Sequence, residues 1–428
     1  MNDLKQYKFN SLYEMGSGIS TTAAQAGHGA PFVSFSTIFN NVILPEVLPD
    51  RMDTSAEEQE KYSVKKGDIL LTRTSETLDE LAMSSVAVKD YPNATFSGFA
   101  KRLRPLQNDV TYDKFMAFYL RSPYFRKIVD ANAIMTLRAS FNEDIFSYIK
   151  LWLPDYETQV KIGDFFWDIE QKIRNNEKIS SNLESIARLL YDYWFVQFDF
   201  PDDNGKPYKS SGGKMIWSEE LKRDIPDGWE VGCFGDVLSS LESGDRPSGG
   251  AEDNGIPSIG AENIIGIGKY DFRSEKYIPE EYFNNMRNGV VQSWDVLMYK
   301  DGAGVGQASM FGDGFPYEKC AINSHAFILR SENNLYQDYL YLTLCQEYIK
   351  KLIIVLAMKA AQPGLNQPAV KSIPLVIPKK QVVEMFNQKV DTMFHKIFAC
   401  ANENRQLASL REFLLPMLMN GQVKFEDA

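Results

Sequence analysis

The sequence predicts an α+β chain written twice: two domains of mixed strands and helices, joined by two long helices that form an antiparallel coiled coil with pseudo-twofold symmetry. Three observations carry this. Features of the first half recur about 225 residues later, short runs rich in Val, Ile, Phe and Tyr alternate with glycine-rich turns in both halves, and each half ends in a heptad-patterned helix. A length of 428 residues allows two to four domains, and a composition 44% hydrophobic and 13% aromatic is that of a folded chain.

The repeat is read in order along the chain. Ser17-Gly18 falls on Ser243-Gly244 and Pro31 on Pro257 at a shift of 226; GDILLTR from Gly67 falls on WDVLMYK from Trp294 at 227. SGFAKRLR from Ser97 falls on NSHAFILR from Asn323 at 226, placing Arg104 over Arg330. The helical run from Tyr112 falls on that from Tyr336 at 224, as does LWLP, ending at Pro154, on LVIP, ending at Pro378. Six correspondences in one order, drifting by three residues, describe a duplication.

After each mixed segment comes a helix. Ile162, Ile169, Asn176, Leu183 and Leu190 recur every seven residues, and 224 positions later Phe386, Met393, Cys400, Leu407 and Leu414 do the same. The predicted helices span 156–195 and 379–419, with Pro416 marking the end of the second. About 40 residues make a helix about 60 Å long. Two seams in one chain are most simply satisfied by pairing; the alternative is that each helix packs on its own domain. Asn176 either sets the register or is exposed. FDFPDDNGKPYKSSGGKMIW, residues 198–217, reads as a surface linker.

Several functions are excluded or disfavoured. His28, His325 and His395 stand apart from one another, and no two of the four cysteines form a CxxC pair, so no metal or disulfide framework is expected. GxSxG, Walker and GxGxxG patterns are absent, and the spacing of Gly302-Ala303-Gly304-Val305-Gly306 does not fit a dinucleotide turn. With no apolar run of about 18 to 20 residues and no signal-like start, a cytoplasmic protein is expected. A net charge of −11 argues against nucleic acid, yet residues 88–138 hold nine basic residues against four acids, so one face is expected to be locally basic.

Both halves carry loops dense in Ser, Thr, Asn, Gln and Arg beside glycine: Gly16–Gln25, Arg73–Thr77 and Thr136–Asn142, then Ser243–Gly250, Lys300–Gln307, Lys319–His325 and Ala360–Gln367. Such groups suit base edges and phosphate oxygens, although any one loop also reads as a plain turn. The candidate DNA-binding residues are Ser17, Thr21, Thr22, Arg73, Lys101, Arg102, Arg104 and Arg138 in the first half, and Arg246, Asn263, Lys300, Lys319, Asn323 and Gln362 in the second. Most of Arg102, Arg104 and Arg138 are expected to meet phosphate, and at least one of Arg246, Asn263, Asn323 and Gln362 to read a base. Arg104 and Arg330, at matching strand ends, are also candidates for a structural role.

The helical stretch Ile179–Pro201, the segment Asn204–Trp217, Ile225–Val237 and the run Val296–Ser331 resemble the specificity subunit of type I restriction-modification systems over nearly the whole chain. The order of domain, helix, domain, helix is also that family's. The resemblance implies a target-recognition domain at 1–154, a spacer helix at 155–197, the linker at 198–217, a second target-recognition domain at 218–377, and a second spacer helix with tail at 378–428. It further implies a subunit with no catalysis of its own, reading two DNA half-sites held apart by the coil as a ruler. Two modification subunits would supply S-adenosylmethionine chemistry on adenine, and two restriction subunits would supply ATP and Mg chemistry. One departure is that the first half has no counterpart of Pro226–Trp229, which puts its first strand in doubt. The competing class is a duplicated-domain scaffold or enzyme that does not bind nucleic acid.

Overall fold

The computed structural model describes residues 4–75, 81–132, 139–273, 275–359 and 364–423. The chain divides into two compact units, residues 1–172 with 407–428, and residues 173–406. The division cuts both long helices, because part of each helix belongs to each unit.

Each unit is built on a four-stranded antiparallel sheet. In the first, strands β1 (Tyr13–Ser17), β2 (Ile69–Thr72), β3 (Ser84–Val86) and β4 (Ala100–Pro105) lie in the order β1-β4-β2-β3. In the second, β5 (Leu238–Ser243), β6 (Asp295–Tyr299), β7 (Ala308–Phe311) and β8 (Ala326–Ser331) lie in the order β5-β8-β6-β7. The strands fall where the sequence repeats. A three-stranded sheet accompanies each, and in each it contains one parallel pair, Phe32 with Thr95 and Ser258 with Ala321. The doubted first strand exists: Lys5–Lys8 pairs antiparallel with Lys150–Leu153, as Glu230–Cys233 pairs with Pro374–Ile377. The turn sequence Pro226–Trp229 is therefore dispensable for this pairing.

Buried ion pairs sit at the same place in both sheets. Arg104 grips Asp68 at 2.6 and 2.8 Å, while Arg330 holds Asp295 at 2.6 Å through two nitrogens and also Glu242. Asp68 and Asp295 are buried, so each needs its guanidinium.

Helix α1 (Tyr156–Tyr191) begins where the Asp155 carboxylate accepts the Thr158 N–H at 2.8 Å, and helix α2 spans Lys380–Met419. In the first unit Arg411 meets Glu170 at 3.0 Å. In the second, Asn176 donates to Glu403 and Asn404 at 2.7 and 2.9 Å, and Tyr191, Trp194 and Phe195 surround Phe386. Partner numbers fall along α2 as they rise along α1, so the helices run antiparallel. Asn176 is buried and bonded, the arrangement of a register-setting polar layer.

The seam residues are placed unequally. Ile162, Ile169, Phe386 and Cys400 are buried, whereas Leu183, Leu190, Met393, Leu407 and Leu414 are half-buried. Each helix also packs on a domain, so the two packing alternatives coexist. Gln159 of α1 donates to the Val110 and Pro154 carbonyls and Phe166 packs on Phe118, while Phe394 of α2 packs on Tyr341 and Trp294. Helix α2 ends at Met419, as the sequence predicts, with Pro416 in its last turn, where a proline forfeits few bonds. Residues 201–217 lie at the surface, as read, while the start of the segment is anchored: Phe198 and Phe200 are buried, Phe200 stacks on Tyr208 and Trp229, and Asp199 accepts from Ser210 at 2.6 and 2.7 Å. The aromatic residues of FDFP outweigh the turn-forming residues beside them.

Candidate nucleic-acid interface

Strand register gathers the polar loops of each unit at one sheet end. Ser17 at the end of β1 lies opposite Lys101 at the start of β4, and Thr72 at the end of β2 lies opposite Ala100. Arg73 and Phe99 therefore leave the same end of the sheet. In the second unit Ser243 lies opposite Phe327 and Tyr299 opposite Ala326, so Lys300, Asp301 and His325 leave the matching end. Glycine permits both arrangements: a Cβ on Gly18 would lie 2.1 Å from the Ser97 carbonyl oxygen, and one on Gly244 would lie 2.0 Å from that of Ile322.

In the first unit the Lys101 ammonium donates to the Ser17 hydroxyl at 2.9 Å. Burial lowers its pKa, the Arg73 positive charge lowers it further, and Glu143 offsets part of this. Two cations crowded at a sheet end suit a polyanion, whose charge would relieve their repulsion. Arg73, Thr22 and Ser17 are exposed and Thr21 is half-buried. Thr22 is fixed through its N–H and hydroxyl, both donating to Gln25 at 3.0 Å. Arg138 lies outside the described residues.

Two of the expected phosphate contacts are engaged by the fold. Arg102 donates to the Ser63 carbonyl at 2.7 Å and lies over the Phe96 ring at 5.5 Å, and Arg104 is held by Asp68 and Ser63. Neither guanidinium is free, as was already suspected of Arg104. The basic stretch as a whole is less of a face than its count suggests: Arg121 donates to the carbonyls of Ser84, Ile38, Phe39 and Asn41, and Lys114 pairs with Asp164 at 2.7 Å.

In the second unit Arg246 and Lys319 are exposed, while Lys300 is half-buried with its ammonium 5.4 Å over the Phe327 ring. Asn263 and Asn323 are corrections to the base-reading candidates, because both are buried. The Asn263 side chain accepts from the Gly260 N–H and donates to the Asp271 carbonyl, and the Asn323 side-chain Oδ1 accepts the His325 N–H at 2.9 Å. Both amides shape turns. Gln362 lies outside the described residues. Two features escaped the sequence reading, the exposed Phe99 ring and a His325 ring whose Nδ1 lies 2.9 Å from both Asp301 oxygens. Among the described residues no cluster of three metal-ligating side chains occurs, and no described helix is long and apolar enough to cross a membrane.

The long helices carry a separate exposed feature. Ile179, Ile186, Leu189 and Tyr193 stand exposed at helical spacing near the C-terminal end of α1 and its continuation, and Leu410 and Phe413 stand exposed on α2.

Against known proteins, the model of the type I restriction modification DNA specificity domain matches residues 3–185 and again 226–411. The type I restriction enzyme HindI specificity subunit of Haemophilus influenzae is 24% identical, covering 99% of this chain and all of that one. The MjaIX specificity subunit of Methanocaldococcus jannaschii is 24% identical over 367 residues, 85% of this chain and 79% of its own length. In fold the chain resembles the type I restriction-modification S subunit from M. genitalium, with a TM-score of 0.60 and 15% identity over 100% of this chain and 97% of that one.

Proposed function

Because the chain belongs to the family of type I restriction modification DNA specificity domains, we propose that it is the specificity subunit of a type I restriction-modification complex. Its two units read the two halves of a bipartite DNA target and position the catalytic subunits. It carries out no chemistry itself. The observation that carries the reading is the pairing of one scaffold with two unlike loop ends: the exposed Arg73 and Phe99 stand where the second unit has the half-exposed Lys300 and His325. Two different half-sites require such a pairing, because a fixed frame positions the reader while the side chains at its end specify the bases.

Modification subunits dock on the long helices. The stripe of Ile179, Ile186, Leu189 and Tyr193 supports this, since apolar rows left in water on a helix mark a protein contact. S-adenosylmethionine is bound by those subunits, and ATP and Mg by restriction subunits. The partners' cations then supply part of the phosphate neutralisation that a chain of net charge −11 lacks.

The test is a binding measurement on the chain co-purified with its modification subunits, at two salt concentrations, on duplexes with and without the motif methylated in the host genome. The reading expects at least about a thousandfold preference for the motif and a steep salt dependence on both duplexes. Equal affinity for both would remove specific recognition, and no affinity for either would return the chain to the class of scaffolds.

A further inference from the structure

We propose that Phe99 is a wedge that stacks on the bases of the half-site read by the first unit. This rests on the DNA-reading assignment above and deepens it, because it adds to the polar and cationic loops an apolar reader that works through the flat face of a base.

A single exposed phenylalanine ordinarily calls for no explanation. Phe99 differs in how it is held. Its ring is 66% exposed, yet the backbone around it is pinned on each side. Gly98 donates to the Ile19 carbonyl at 2.7 Å, the Phe99 N–H to the Ser97 hydroxyl at 3.2 Å, Arg73 to the Phe99 carbonyl at 2.9 Å, and Ala100 to the Ser97 carbonyl at 2.9 Å. A Cβ on Gly98 would sit 3.0 Å from the Ile19 oxygen, so the tip is pressed against the neighbouring loop. The chain thus holds a large apolar ring in water from a fixed backbone, which lowers the ordering cost of using it in binding.

Its neighbours fit the same use. The Arg73 main-chain N–H bonds the Phe99 carbonyl, and Lys101, which feels the Arg73 charge, follows two residues later on β4, so two cationic residues adjoin the ring's point of attachment. Cations beside an apolar ring form a surface for an unstacked or kinked base step. The second unit repeats the placement: 226 residues on, immediately before β8, stands His325, a planar ring held by Asp301 and following Lys300 in the same loop pair. A flat ring at this point in both copies marks it as part of the reading device.

The experiment uses the complex with modification subunits and a target duplex carrying 2-aminopurine at successive positions of the first half-site. The wild-type complex is expected to raise the fluorescence at one step. Phe99→Ala should abolish that signal and weaken target binding about tenfold, while Phe99→Trp should keep both. Assembly with the modification subunits and the thermal midpoint should be unchanged in each variant. A Phe99→Ala complex with wild-type affinity and fluorescence overturns the wedge. Loss of subunit assembly overturns it too, assigning the ring to a protein contact. A wild-type complex that fails to prefer its target instead overturns the DNA reading on which the wedge rests.

Discussion

Along strands β4 and β8 the two halves of the chain agree, and at the ends of the same strands they part. Arg104 holds Asp68 as Arg330 holds Asp295, and Gly18 lies against the Ser97 carbonyl as Gly244 lies against that of Ile322. At the loop end, Phe99, Lys101 and Arg73 of the first unit stand where the second has His325, Phe327 and Lys300. The difference follows from solvent. A buried carboxylate cannot lose its guanidinium without leaving a lone charge out of water, and a carbonyl in contact with a glycine leaves no room for a methyl group. Of the loop-end residues, Arg73 and Phe99 are exposed and Lys300 and His325 half-exposed, while Lys101 and Phe327 are buried, so the chemistry of the first four changes at little cost in stability and a duplicated frame can acquire two specificities.

The largest test of this contrast is to break the shared ion pairs. Arg330→Ala should destabilise the second unit by about 3 to 5 kcal/mol, since the Asp295 carboxyl, already pushed up by burial, would be left without its partner. Arg104→Ala should cost less, because Arg104 serves one carboxylate and Arg330 two. Denaturant unfolding followed in both variants checks the order, and equal losses would mean that Glu242 contributes nothing. Next in size, Gly18→Ala and Gly244→Ala should each cost about 1 to 3 kcal/mol in thermal unfolding, alike in the two halves. A harmless substitution in either would show that its crossing can relax.

A contrast of the opposite kind lies beneath the long helices. Lys114 pairs with Asp164 of α1, whereas 224 residues on Asp338 faces Asp391 of α2. Burial first, then a hydrogen bond shared with Asp391 and the Asp391 charge, hold the Asp338 carboxyl well above the ordinary carboxylate range. A folded-state pKa raised above the unfolded one gives stability that is present in full below about pH 4 and is lost as pH climbs toward the raised value. Asp338→Asn should therefore raise the thermal midpoint at pH 8 and leave it close to wild type at pH 4. A midpoint at pH 8 that does not rise would mean that the carboxyl is satisfied as it stands. The smallest effect on stability is expected at the loop end: Arg246→Ala should change stability by under about 0.5 kcal/mol, yet weaken binding to the target by about 1 to 3 kcal/mol and relax one position of the second half-site. Equal weakening on every sequence would make Arg246 a phosphate contact instead.

The frame was legible in the sequence because strands and heptads leave periodic marks, and a duplication prints each mark twice. Strands β2 and β6, the seam from Ile162 to Leu190 and the matched arginines all lie where the repeat puts them. The interface was legible only as a set of loops. A count of basic residues cannot tell Arg73, which stands in water, from Arg121, whose nitrogens meet backbone carbonyls. Nor can the identity of an asparagine show that Asn263 and Asn323 form turns, since base recognition and turn formation use the same amide. Phe99 was missed for the reverse reason: an apolar residue beside a strand reads as core, and only the register of β4, which sends Ala100 inward, leaves the residue before it outside.

The central claim, that two independent readers share one frame, is tested most directly by replacing residues 218–376 with the equivalent domain of another specificity subunit and sequencing the methylated motif the complex then produces. One half of the motif should change and the other should stay as it was. A change in both halves, or in neither, would contradict the claim.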